Sequence, residues 1–115
     1  MLDSVSKLID SDRVNGTRVY STDGEHVGDI DHLMIDKESG NVAYAVMSFG
    51  GFLGMGTEQH PIPWPRLKYD TQLGGYVTGI TREDLDSAPA RRDGWESDRK
   101  HQAEIYSHFN APWYF

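Results

Sequence analysis

The chain has 115 residues with 11 Lys and Arg against 18 Asp and Glu, a net charge of −7. That length holds one domain, and with no Cys it excludes disulfides, thiolate metal sites and thiol chemistry. A phosphate-binding surface gains affinity from Lys and Arg, so the charge argues against direct nucleic-acid or anionic-lipid binding.

Residues 1–90 carry 7 basic and 14 acidic side chains, and residues 91–115 carry 4 of each. The longest apolar run is Val42 to Met47, far short of the roughly 20 residues that a membrane span needs. Asp3, Lys7, Asp10 and Asp12 interrupt the first stretch, so no signal peptide is expected there. These features predict a cytoplasmic protein without a membrane span.

Residues 1–14 read as a lead-in or short helical turn, with Val5, Leu8, Ile9 and Val14 able to pack on a domain. Residues 17–20 read as a first strand. Asp23-Gly24 then predicts a tight hairpin turn, because Gly accepts the positive φ that such turns require. Residues 26–36 read as a second strand whose parity slips. Val27, Ile30 and Leu33 are each three apart, whereas one face of a strand demands even spacing. A bulge is therefore expected near Gly28 or near Asp31-His32, with the sheet curling toward a barrel.

Gly40 marks the next turn. Residues 42–49 are apolar on both parities: Val42, Tyr44 and Val46 on one side, Ala43, Ala45, Met47 and Phe49 on the other. One side should fill a core, and the other must meet a helix, the tail or a second subunit. Residues 50–57 form a Gly-rich segment in which Phe52, Leu53 and Met55 either tuck inward or make a contact surface. Pro61, Pro63 and Pro65 then predict an edge strand or extended connector, with Ile62 and Trp64 turned inward.

Leu67 and Tyr69 suggest a short strand, Asp70 to Gly75 a turn, and residues 76–80 a last strand. Thr81 is the expected N-cap of a helix that Pro89 limits to about two turns. Residues 97–109 predict a helix with Ile105, Tyr106 and Phe109 as its apolar stripe, stopped by Pro112. The chain closes on Trp113-Tyr114-Phe115, three aromatics expected to dock on the domain or on a neighbour.

Chemistry-bearing patterns are weak. The Gly51 to Gly56 segment lacks a Lys, and the prolines after it forbid the helix that a phosphate loop needs. His101, Glu104 and His108 share a helix face but are too widely spaced for a tight metal pair, and read as polar borders of the stripe. Asp23, Glu25, Asp29, Asp31, Asp36 and Glu38 lack the order of a calcium loop and read as a solvated acidic face. Ser48 has no nucleophile-elbow context. No cofactor, catalytic residue or metal ligand is assigned.

The ordered set Gly16 to Tyr20, Asp23 to Ile30, Leu33 to Asp36, Ser39 to Val46, Gly50 to Gly54, Pro61 to Trp64 and Leu67 resembles the PRC-barrel family. Pro112 to Phe115 is similar to the aromatic tail of stand-alone bacterial members. The resemblance implies a mainly β fold: a small barrel of five or six strands with short flanking helices. It places the lead-in at 1–14, the barrel domain at 15–90, and a C-terminal helix and tail at 91–115. The family includes the cytoplasmic domain of the photosynthetic reaction-centre H subunit and the C-terminal domain of a ribosome maturation factor. It carries no catalytic residue set, which implies a non-enzymatic adaptor binding protein partners. Self-association as a homodimer is expected, with Phe52, Leu53, Met55, Trp113, Tyr114 and Phe115 as candidate contact residues. A ribosome- or RNA-processing-associated factor and a small-ligand or metal-binding protein are the alternative readings.

Overall fold

The computed structural model describes residues 8–49, 58–88 and 98–112. A short helix α1 (Ser11–Val14) leads into strands β1 (Arg18–Tyr20), β2 (His26–Ile35), β3 (Val42–Phe49) and β4 (Glu58–Pro63). A 3-10 turn (Trp64–Arg66) precedes β5 (Lys68–Asp70) and β6 (Gly75–Val77), and helices α2 (Arg82–Asp86) and α3 (Arg99–His108) follow. The six strands form one sheet in the order β4-β3-β2-β1-β6-β5. Neighbours are antiparallel except β1 and β6, which run parallel.

The expected closed barrel is not what forms. The sheet is open, with β4 at one edge and β5 at the other and no ladder between them. The physical reason lies in the β4 sequence. Pro61 and Pro63 sit within the strand, and proline gives an edge no amide donor with which to join a further strand. The 3-10 turn and the three-residue β5 leave little length for a closing ladder.

Two irregularities of β2 fall where its parity slips, and a third lies between Met34 and Ile35. Ile30 opposes Met47 but His32 opposes Val46, so Asp31 is the extra residue of a bulge. A second shift lies where Val19 opposes Gly28 and Tyr20 opposes His26. The bulge at Asp31 lets Ile30 and Leu33, three apart, share the face of Met47 and Ala45. The hairpin turns are set by Gly24 and Gly40, at φ 90 and 79. Gly28 answers a different demand, because a Cβ there would collide with the Ser48 carbonyl oxygen and meet the Met47 methyl at 3.4 Å.

β3 is buried on both faces, with Ala43 to Met47 at 0–4% exposure. Its Ala45 and Met47 side pairs in register with Ile62 and His60 of β4. Val14, Val19, Leu67, Ile80 and Leu85 join the same buried cluster. The Tyr44 and Val46 side pairs with Pro63 and Pro61, and all four are buried. This corrects the expectation that only the Ile62 side of the edge strand turns inward. α3 supplies the cover. Tyr106 Oη donates to the Ala43 carbonyl at 2.6 Å, and Tyr44 Oη donates to the Gln102 carbonyl at 3.0 Å. The two rings meet edge to face at 5.2 Å, the arrangement the ring quadrupoles favour. Burial of Tyr44 pushes its phenol pKa well above the ordinary range.

The stripe Ile105, Tyr106 and Phe109 is buried as the spacing predicts, and Gln102 and His101 are buried beside it. Asp98 caps the helix, its carboxylate accepting from the His101 backbone N–H at 3.1 Å. At the other end Asn110 adopts φ 55, with Asn110 N–H on the Ser107 carbonyl and Ala111 N–H on the Tyr106 carbonyl. That paired pattern ends the helix before Pro112 can.

Two substitutions test this packing in urea denaturation. Gly28→Ala should cost about 2 kcal/mol or more, because the added methyl meets backbone rather than a movable side chain. Tyr106→Phe should cost about 1–2 kcal/mol, leaving the Ala43 carbonyl buried without its donor. Midpoints unchanged in both would contradict the description of β2, β3 and α3.

Candidate functional site

All six contact residues nominated from the sequence, Phe52, Leu53, Met55, Trp113, Tyr114 and Phe115, lie outside the described residues. Of the three covers expected for the second face of strand 42–49, a helix, the tail or a second subunit, a helix is the one found. The side bearing Tyr44 is occupied by α3 of the same chain, so that face needs no partner.

The possible metal face of α3 does not converge. Glu104 is exposed, whereas His101 is buried at 3% exposure with Nε2 lacking a partner among the described residues. His108 Nε2 donates to the Asp84 carbonyl at 2.7 Å and ties α3 to α2. His101 is thus a core residue rather than a polar border. Four of the acidic residues of β2 and its turns, Asp23, Asp29, Asp31 and Asp36, are held by local partners. His26 Nε2 lies 2.9 Å from Asp29 Oδ1, and His32 Nδ1 lies 2.6 Å from Asp31 Oδ2. Ser21 hydrogen-bonds Asp23, and Asp36 accepts from the Ser39 backbone N–H at 2.8 Å. Both carboxyls are held below the ordinary range, chiefly by those serine side chains. Among the described residues no group of His, Asp and Glu could hold a metal ion.

α2 begins as the sequence predicts. Thr81 Oγ1 accepts from the Asp84 N–H at 3.2 Å, and Asp84 Oδ2 accepts from the Thr81 N–H at 2.9 Å. This reciprocal capping box fixes the direction in which residues 78–81 enter the helix. The Thr81 backbone N–H holds the Asp84 carboxyl below its ordinary value, with the Thr81 hydroxyl, His108 and Arg66 adding and burial opposing.

Residues 78–81 also form one wall of the larger of two adjoining cavities that no local motif announced. The larger, about 480 Å3, is lined by Val27, Phe49, Ile80 and Leu85, with Asp23 and Glu25 also on its wall. The smaller, about 370 Å3, is lined by Arg66, Lys68, Tyr69 and Asp70. Thr22 and Gly79 line both. Beyond them an aromatic row crosses the end of the sheet. The Trp64 and Tyr76 rings lie 5.4 Å apart and the Tyr76 and Tyr69 rings 5.2 Å apart. Tyr69, at the edge, is 51% exposed.

The Asp84 cap has a pH signature. Its folded pKa lies below the unfolded value, so its contribution is complete above the ordinary 3.8 and is lost as pH falls through the lower folded value. The Thr81 amide resonance should therefore move in that acid window and stay still in Asp84→Asn. A Thr81 resonance that tracks pH equally in both proteins would contradict the cap.

Among the described residues no helix is long and apolar enough to cross a membrane. No curated protein matches the chain. A family model, the PRC-barrel domain, matches residues 7–85, from the lead-in through β1 to β6 and into α2. The matched span is more than half of the chain, and the chain belongs to the PRC-barrel domain family, whose members are non-catalytic interaction modules.

Proposed function

We propose that the chain is a protein-binding adaptor that also self-associates. Family membership over residues 7–85 is the observation that carries the adaptor reading. Residues 15–90 are the module in this reading, 1–14 its lead-in, and 91–115 a helix and tail that extend its contacts. The net charge of −7 favours a protein partner over a nucleic acid. The chain's lack of Cys fits a reducing compartment such as the cytoplasm.

Self-association rests on sequence. Phe52, Leu53 and Met55 stand among glycines, and Trp113, Tyr114 and Phe115 follow Pro112. Large apolar and aromatic side chains in such segments are what interface centres use. The doubly apolar β3 no longer supports the dimer, since α3 takes its second face.

Light scattering of the eluting full chain tests this reading. A dimer is expected, with the double variant Phe52→Ala, Met55→Ala dissociating at a concentration roughly tenfold higher. A monomer at every concentration would refute self-association. An unchanged dimer in that variant and in Trp113→Ala would refute the assigned surface.

A further inference from the structure

We propose that the two adjoining cavities form one groove for an extended segment of a protein partner that carries one apolar and one acidic side chain. An apolar side chain of that segment enters the larger cavity, and its carboxylate meets Arg66 and Lys68. This inference rests on the adaptor reading but uses none of the residues assigned to self-association.

Gly79 is the first observation. It is exposed and lines both cavities. Its φ is not among the positive values that would require glycine. An added Cβ would meet only the Arg66 guanidinium, at 3.9 Å. Neither backbone conformation nor internal packing therefore asks for glycine. Its N–H and C=O also make no hydrogen bond among the described residues. A bare stretch of backbone between two cavities permits the close approach of another chain, and it offers that chain one donor and one acceptor.

Charge is the second. Residues 15–90 hold five basic side chains, Arg18, Lys37, Arg66, Lys68 and Arg82, and two of the five converge on the smaller cavity. Neither Arg66 nor Lys68 makes an ion pair among the described residues. Arg66 is half-buried, and its Nε has no partner there. Asp84, the carboxylate whose field it feels, is already held by the Thr81 N–H. A half-buried guanidinium in this state is suited to a carboxylate supplied from outside.

The third is the wall of the larger cavity, where Phe49, Ile80 and Leu85 lie buried and Val27 half-buried. An apolar side chain seated there removes further apolar surface from water. A nucleic acid fits poorly, because Asp23, Glu25 and Asp70 also line the groove and would repel phosphodiesters along it. A small anion would use Arg66 and Lys68 but leave the apolar cavity and the Gly79 backbone unmet.

The test is an NMR titration of the full-length, 15N-labelled chain. The probe is a pool of short blocked peptides, each with one Leu and one Asp about two to four residues apart. The expected result is movement of the Thr22, Lys68 and Gly79 amide resonances. Control pools with Lys for Asp, or Gly for Leu, should bind about tenfold more weakly or worse. Arg66→Gln should weaken the first pool by about tenfold. Gly79→Val should abolish binding with its folded spectrum retained, since its Cβ makes only an ordinary contact with the Arg66 side chain. If Arg66→Gln does not fold, Lys68→Gln supplies the charge test. No movement at millimolar peptide, unchanged affinity in Gly79→Val, or equal binding of the Lys pool would overturn the proposal. So would an oligouridylate that moves the same amides more strongly. The Phe52→Ala, Met55→Ala variant should bind the peptides normally, which separates failure of the groove from failure of the dimer surface. Loss of peptide binding in that variant would overturn the groove assignment.

Discussion

Burying both faces of β3 is the requirement on which the structure turns. Few strands of a small sheet are apolar on both sides, and each side needs its own cover. The Ala45 and Met47 side is widened by Ile30 and Leu33 of β2 and Ile62 of β4 in register, and Val14, Leu67, Ile80 and Leu85 belong to the buried cluster that encloses it. The Tyr44 and Val46 side is met by α3, and the contact is polar as well as apolar. Two tyrosine hydroxyls cross between strand and helix in opposite directions, each ending on a backbone carbonyl. Each buried apolar side chain contributes on the order of 1.5–3 kcal/mol. The hydroxyls add position more than energy, because a buried phenol without a partner would cost more than a made bond gains.

That arrangement is consistent with the sheet staying open. β4 is an edge because its prolines supply no donors there. Exposed edges invite pairing with other chains, and proline is one of the devices that discourages it. Here Pro61 and Pro63 also pack on the α3 side of the sheet, so one residue type both blunts the edge and extends the buried face. The opposite edge, β5, is only three residues long, and its exposed Tyr69 is steadied by Tyr76 and through it by Trp64. Partner contact by strand addition is thus poorly supported at either edge. A groove between elements suits the same sheet better.

Much of the fold was legible because its signals are local. The turns at Gly24 and Gly40, the Thr81 cap and the stripe on α3 each depend on residues a few positions apart. The parity slips of β2 were informative for the same reason: a strand that buries Ile30 and Leu33 together must hold an extra residue between them. What stayed hidden depends on distant pairing. Nothing near Val19 announces that it will lie parallel to Tyr76. The openness of the sheet was misread even though its cause, the alternate prolines, was in view. Bends in β2 suggested curling, but closure also needs donors on the last edge. His101 looked like a polar border of the stripe, and burial of α3 against β3 and β4 overruled that reading.

The groove shows why a binding surface in such a module escapes motif reading. Its walls come from the β1–β2 hairpin, the residues around the 3-10 turn, and the segment that enters α2. No two of these are neighbours in the chain. The capping box at Thr81 and Asp84 anchors one end of the segment that carries Gly79, and the Thr78 N–H bond to the Tyr20 carbonyl anchors the other. His108 reinforces the first anchor by holding the Asp84 carbonyl from α3. The helix that covers β3 therefore also braces the segment lining the groove. The packing of α3 and the wall of the groove share a single short link, Thr81 to Asp84. A mutation that loosens this link should alter the groove before it unfolds the domain, since the link lies at the end of the packed core rather than within it.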